Sequence, residues 1–205
     1  MIRLLYAELA ALPTIEEMEK EIPSTFCKGY FDAHEKASRA GLGGLWLAAR
    51  AGACGELCYD EKGRPCMIGG NYADLSISHT GNFVFCALVD GEHRRIGLDA
   101  EDGGRVATEA MGKIAHRFFT PEEQAFLADA PDLREAFLVL WTKKEAYAKY
   151  CGEGLSALFA GKLPEGETHF STGKIEGLRV AICTDAPLQQ GFPRPEKVDS
   201  LVKNG

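Results

Sequence analysis

The longest helical pattern in the chain sets the first constraint. Pro131 and Asp132 mark its start, and Gly152 or Gly154 its end, the usual punctuation of an α-helix. At about 100° per residue, Leu133, Phe137, Leu140, Trp141, Ala148 and Cys151 fall into one apolar stripe. Such a helix has to be packed against a core. Lys144 falls near the centre of that stripe, with Glu145 and Lys149 along its edge. A lysine there costs desolvation unless its ammonium reaches water or an anion. A Glu145–Lys149 pair at i,i+4 spacing is worth about 0.2–0.5 kcal/mol, which explains those two residues and leaves Lys144 over. An anion bound beside the helix would account for all three.

Upstream, residues 2–8 alternate weakly as a strand. Residues 32–53 read as a helix with apolar positions at Leu42, Leu45, Trp46 and Ala49, its Gly41, Gly43 and Gly44 kept for close packing despite about 1 kcal/mol each. Three β-type runs follow, at 75–78, 83–89 and 95–101, joined by Thr80-Gly81-Asn82 and Asp90-Gly91. Turns of this kind predict an antiparallel meander. A helix is expected over 105–117. Thr120, Pro121 and Glu123 then write out a helix start, with Thr as N-cap, Pro at the first position and Glu three after the cap. Strands are expected at 170–172 and 178–184, and a loose tail after Pro187. The order describes an α+β fold in two similar halves, residues 1–102 and 103–205.

Bulk properties exclude several classes. The 205 residues carry a net charge of −7 with no basic stripe, which argues against a nucleic-acid partner. Positive charge is only locally clustered, at Arg94–Arg95 and at Lys143, Lys144 and Lys149. No apolar run approaches the roughly 20 residues of a membrane span, and the opening MIRLLYAELAALP lacks a secretory pattern, so a cytoplasmic protein is expected. Seven scattered cysteines form neither a disulfide framework nor a zinc-finger spacing. Cys86 and Cys183, inside apolar runs, read as small buried hydrophobes.

Charge also interrupts the third β-type run. Asp99 and Glu101 lie two apart in a strand and share a face. Like charges this close repel by roughly 4 kcal/mol at an effective dielectric of 20. Either the strand end is solvated or a hard cation such as Mg or Ca sits between them. His79 closes the run Ser76-Ile77-Ser78-His79-Thr80 and alone would suit a structural role. The helix cap alone explains Glu123.

In order along the chain stand Gly63-Arg64-Pro65, Ser76-Ile-Ser78-His79, Gly97-Leu-Asp99-Ala-Glu101, Phe118-Phe119-Thr120-Pro-Glu-Glu123 and Trp141-Thr-Lys-Lys144-Glu145-Ala-Tyr-Ala-Lys149. This series resembles the Sfp-type 4′-phosphopantetheinyl transferases, with a GKP-like turn, an SHS-like element, G(I/V)DxE, FxxxE and WxxKEAxxK. The resemblance implies two similar α+β halves related by a pseudo-twofold, with the site between them. It implies transfer of 4′-phosphopantetheine from coenzyme A to a serine of an apo acyl or peptidyl carrier protein, releasing 3′,5′-ADP. Asp99, Glu101 and Glu145 would hold Mg, with Mn as an accepted substitute, against the coenzyme A pyrophosphate. Lys149 would meet the phosphate and offset charge on the leaving group, and Lys144 would join the same anion pocket. Glu123 would be the general base, Ser78 and His79 nucleotide contacts, and Arg64 a replacement for the lysine beside the adenine.

One departure concerns the 3′-phosphate of coenzyme A. Basic residues before the first helix are reduced to Lys28, with Lys36 and Arg39 later, so Arg39 becomes a candidate contact. A non-catalytic scaffold that kept the fold is the alternative, and retention of all three carboxylates argues against it. The small trimeric carrier-protein synthases share the GxD and KEAxxK elements but are shorter. Two halves in one chain predict a monomer.

Overall fold

The computed structural model describes residues 1–91, 95–104, 107–155, 158, 168–188 and 190–199. Arg94, the start of the expected 105–117 helix and the last six residues lie outside the described set.

Strand β1 (Ile2–Glu8) is buried on both faces, which is why its alternation is weak: Leu5 and Ala7 face one core cluster, Leu4 and Tyr6 another. After a 3₁₀ turn at Leu9–Ala11, helices α1 (Ile15–Glu21), α2 (Ser24–Ala33) and α3 (Arg39–Arg50) follow. The single helix expected over 32–53 is two. His34 ends α2, and the Ser38 hydroxyl accepts the Gly41 N–H at 3.0 Å to begin α3. Gly43 and Gly44 are close-packing residues as expected, since side chains there would run into Leu12 and Ile77. A hairpin of β2 (Glu56–Tyr59) and β3 (Pro65–Ile68) comes next, then β4 (Asp74–Thr80), β5 (Phe83–Val89) and β6 (Ile96–Glu101).

β4 and β5 pair antiparallel, and β1 pairs with the far edge of β5. The expected meander stops there. β6 leaves that sheet and pairs with β8 (Leu178–Thr184), which pairs with β7 (His169–Ile175). Between β6 and β7 lie α4 (Thr108–Phe118), α5 (Pro121–Ala128) and α6 (Leu133–Cys151). The tail is not loose throughout. β9 (Pro195–Lys197) returns to pair in parallel with β1, and Arg3 meets Glu196 at 2.7 Å. A three-residue charged strand has no local periodicity to announce it, and its partner lies at the opposite end of the chain.

The result is layered. α3 covers one face of the β4–β5–β1 sheet through Leu42, Leu45 and Trp46. The other face packs on the β6–β8 sheet through Phe85, Val89, Ile96, Leu98, Val180 and Ile182. α6 covers the outer face of that second sheet, where Ala146, Ala181 and Cys183 meet. Cys86 and Cys183 are fully buried in these layers. No described helix is long and apolar enough to cross a membrane.

Candidate active site

The site is built where β6 runs between β4 and α6. Asp74, Ser76 and Ser78 alternate along β4 and are all buried. They accept successive N–H groups from β6: Ile96 N–H to Asp74 Oδ2 at 2.9 Å, Leu98 N–H to Ser76 Oγ at 2.9 Å, and Ala100 N–H to Ser78 Oγ at 3.2 Å. Polar side chains on β4 thus satisfy the backbone of β6 along the edge away from β8. The D-x-S-x-S pattern, with period two in an otherwise apolar strand, carried that signal, and sequence reasoning passed over Asp74. On the other side, Gly97 lets α6 lie directly on β6, because a side chain there would overlap the Ala146 carbonyl.

That approach brings Glu145 and Lys149 of α6 to Asp99 and Glu101 of β6. The Lys149 ammonium lies 2.8 Å from Asp99 Oδ1 and 2.9 Å from Ser78 Oγ, and the Ser78 hydroxyl donates to the same Asp99 oxygen at 3.0 Å. Asp99 is only 5 % exposed, yet its Oδ2 has no hydrogen-bond partner among the described residues. Burial and the negative charge of Asp99 push the Glu101 and Glu145 carboxyls each up to about 7, with Lys149 offsetting part of the rise. Three carboxylates therefore converge on one ammonium. Among the described residues, no group of three or more such side chains is arranged so that it could hold a metal ion.

A cleft of about 340 Å³ runs alongside, lined on one side by Lys62 to Pro65 and Leu75 to Ile77, and on the other by Glu145, Ala148, Lys149 and Gly152. Lys149, a third exposed, stands at this wall.

Other expected site residues lie elsewhere. Lys144 is fully buried, as its place in the stripe demands, but its counter-charge is a protein group: Nζ is 2.9 Å from Glu123 Oε2 and 5.4 Å from the Phe119 ring centre. Lys144 and Lys149 are about 140° apart around the helix, so they face different neighbours. Glu123 closes the capping box as expected, its Oε2 also accepting the Thr120 N–H at 2.8 Å. His79 alternates to the face opposite Ser78 and is exposed. Arg39 donates to the Leu9 and Leu12 carbonyls at 2.9 and 2.6 Å, and it is not among the residues lining the cleft. Arg64 lines the cleft, but its guanidinium turns inward to Asp74.

Residues 95–182 match the family model described as the 4′-phosphopantetheinyl transferase superfamily. Over that segment, somewhat under half of its length, the chain is similar to the superfamily. The matched stretch runs from β6 through α6 to β8 and so contains the carboxylate cluster, Lys149 and Glu123. Among curated superfamily members, the chain is similar to 4′-phosphopantetheinyl transferase HetI of Nostoc sp., 32% identical over 141 residues, covering 63% of this chain and 57% of the relative. It is also similar to 4′-phosphopantetheinyl transferase Sfp of Bacillus subtilis, 36% identical over 98 residues, covering 47% and 41%. A third, 4′-phosphopantetheinyl transferase ffp of Bacillus subtilis, is 29% identical over 145 residues, covering 62% of each. The chain thus spans about half the length of the curated relatives it matches.

Proposed function

We propose that the chain transfers the 4′-phosphopantetheine group of coenzyme A to a serine hydroxyl of an apo carrier protein, releasing 3′,5′-ADP. One observation carries the reading. A buried carboxylate, Asp99, is pinned through one oxygen by Lys149 and Ser78 while its other oxygen lacks a partner among the described residues. Beside it lie two further carboxyls, Glu101 and Glu145, each pushed up to about 7 by burial and by the charge of Asp99. A cation between such a cluster and a pyrophosphate would offset the repulsion between them.

Asp99, Glu101 and Glu145 are hard oxygen donors, the chemistry that suits Mg or Mn, and the orphaned Asp99 Oδ2 is the kind of atom such an ion satisfies. An ion bound there would neutralise pyrophosphate charge and polarise the phosphoryl group being transferred. The protein's own groups supply the rest. Lys149, at the cleft wall, would leave its apo partners to bind phosphate oxygen and offset charge on the departing 3′,5′-ADP. Ser78 anchors Asp99, and His79 and Arg39 remain candidates for outer contacts with the nucleotide. Glu123 would accept the serine proton, directly or through water. The serine oxygen then bonds to the phosphorus bearing pantetheine as the pyrophosphate P–O bond breaks. One chain supplies every one of these groups, which supports a monomer.

The test is intact-mass measurement on a panel of apo carriers incubated with the protein, coenzyme A and Mg, with and without excess chelator. A serine-borne gain of the phosphopantetheine mass that disappears with chelator and returns with added Mg is expected. No gain on any carrier overturns the transferase reading. A gain that persists in chelator overturns the metal assignment alone.

A further inference from the structure

Arg64 is the most fully committed cation at the cleft. A guanidinium has five N–H donors, and here each has an acceptor. Nε donates to the Lys149 carbonyl at 3.0 Å. One terminal nitrogen donates to the Pro65 carbonyl at 2.9 Å and to Asp74 Oδ1 at 3.2 Å. The other donates to Asp74 Oδ2 and to the Ile96 carbonyl at 3.1 Å. Both Arg64 (8 % exposed) and Asp74 (3 %) are buried. Asp74 Oδ2 in turn accepts the Ile96 N–H at 2.9 Å.

The pair therefore ties together four places distant in sequence: the start of β3, the start of β4, the first residue of β6 and the last turn of α6. The carbonyls of a helix's last turn lack partners within the helix and carry its partial negative charge. Arg64 supplies both a donor and a cation to one of them, the carbonyl of Lys149. Gly152 leaves room for this, because a side chain there would sit 2.9 Å from Arg64 Cδ. Three residues along β6 from Ile96 stands Asp99, and Lys149 is the residue whose ammonium meets it.

We infer that Arg64 and Asp74 form a positioning clamp that holds the last turn of α6, and with it Lys149, in register with the Asp99 strand, and that Arg64 offers no donor to a ligand. What the clamp serves rests on the transferase reading, but the clamp itself does not. A lysine at this position would not preserve the clamp, since an ammonium cannot reproduce the planar fork.

The variants are Arg64→Lys, Arg64→Met and Asp74→Asn, in the full chain. Each should lower the melting temperature by roughly 10 °C, because a buried pair has lost its match. Amide exchange should quicken at Ile96 and over residues 149–152 in all three. In the transferase assay each should lose roughly 10–100-fold in kcat, with the coenzyme A KM changing less than about threefold, as expected when positioning rather than binding is lost. The inference is overturned if Arg64→Lys keeps wild-type kcat and KM while Arg64→Met raises KM alone, since that pattern belongs to a cation touching the ligand. Asp74→Asn keeps the guanidinium and so guards against an Arg64 variant that does not fold. Wild-type values for it would equally sink the clamp. If wild-type protein modifies no carrier, the transferase reading fails, and melting and exchange still decide the clamp.

Discussion

Two charged clusters meet at the cleft, and they differ in how their charges are answered. Around Arg64 and Asp74, every guanidinium donor has an acceptor and the carboxylate is matched by a cation. Around Asp99, among the described residues, three carboxylates share one ammonium and one oxygen is orphaned, and two carboxyls are driven up to about 7. The Lys144–Glu123 pair belongs with the first kind. Balanced buried charge holds elements in place, whereas a concentration of one sign that is only partly offset is costly to fold around, which supports the proposal that a counter-ion and ligand bind there.

The largest expected effect would sharpen this division at Glu123. As proton acceptor, its replacement in Glu123→Gln should lower turnover by roughly 10²–10⁴-fold. Because Lys144 is fully buried, the same change should also lower the melting temperature by roughly 10 °C. Lys144→Met should cost less, because the Glu123 side chain is 17 % exposed and water can reach it. Equal melting temperatures for wild type and Glu123→Gln would break the balanced-pair reading, and equal turnover would leave Glu123 only its cap.

Next comes Asp99→Asn, which should cost roughly 10²–10³-fold in turnover through lost electrostatic stabilisation. Its melting temperature should move less than that of Arg64→Met, since it relieves repulsion as well as removing an ion pair. A larger fall in melting temperature than in Arg64→Met would place Asp99 among the structural charges.

The smallest effect is one of pH. Glu101 and Glu145 titrate near 7 in the folded protein and near 4.3 in an unfolded chain. Between those values the folded state holds more protons, so their contribution lowers stability as pH rises from about 4.5 to about 7. Glu145→Gln should therefore raise the ligand-free melting temperature by a few degrees at about pH 8 and leave it unchanged near pH 4.5. A rise of equal size at both pH values would show that relief of a buried negative charge is not what the change brings.

Much of this was legible in the residues themselves. The capping box at Thr120–Glu123, the α6 boundaries and the burial of Lys144 follow from rules that span a few residues, and the chain obeys them. So does the shared face of Asp99 and Glu101. The motif order pointed to the same superfamily whose model matches residues 95–182, because each motif is short and contiguous. What tertiary structure alone decided is who faces whom. That β6 crosses to β8 instead of continuing the β4–β5 sheet depends on Asp74, Ser76 and Ser78 replacing a backbone partner at long range. Lys144 meets Glu123, and Lys149 meets Asp99, because α5 and β6 pack on different sides of one helix. Arg64 turns inward because Asp74, Ile96 and the Lys149 carbonyl converge on it from three separate elements. Local pattern determines where a charge sits on its own helix or strand; only packing brings up the partner that answers it.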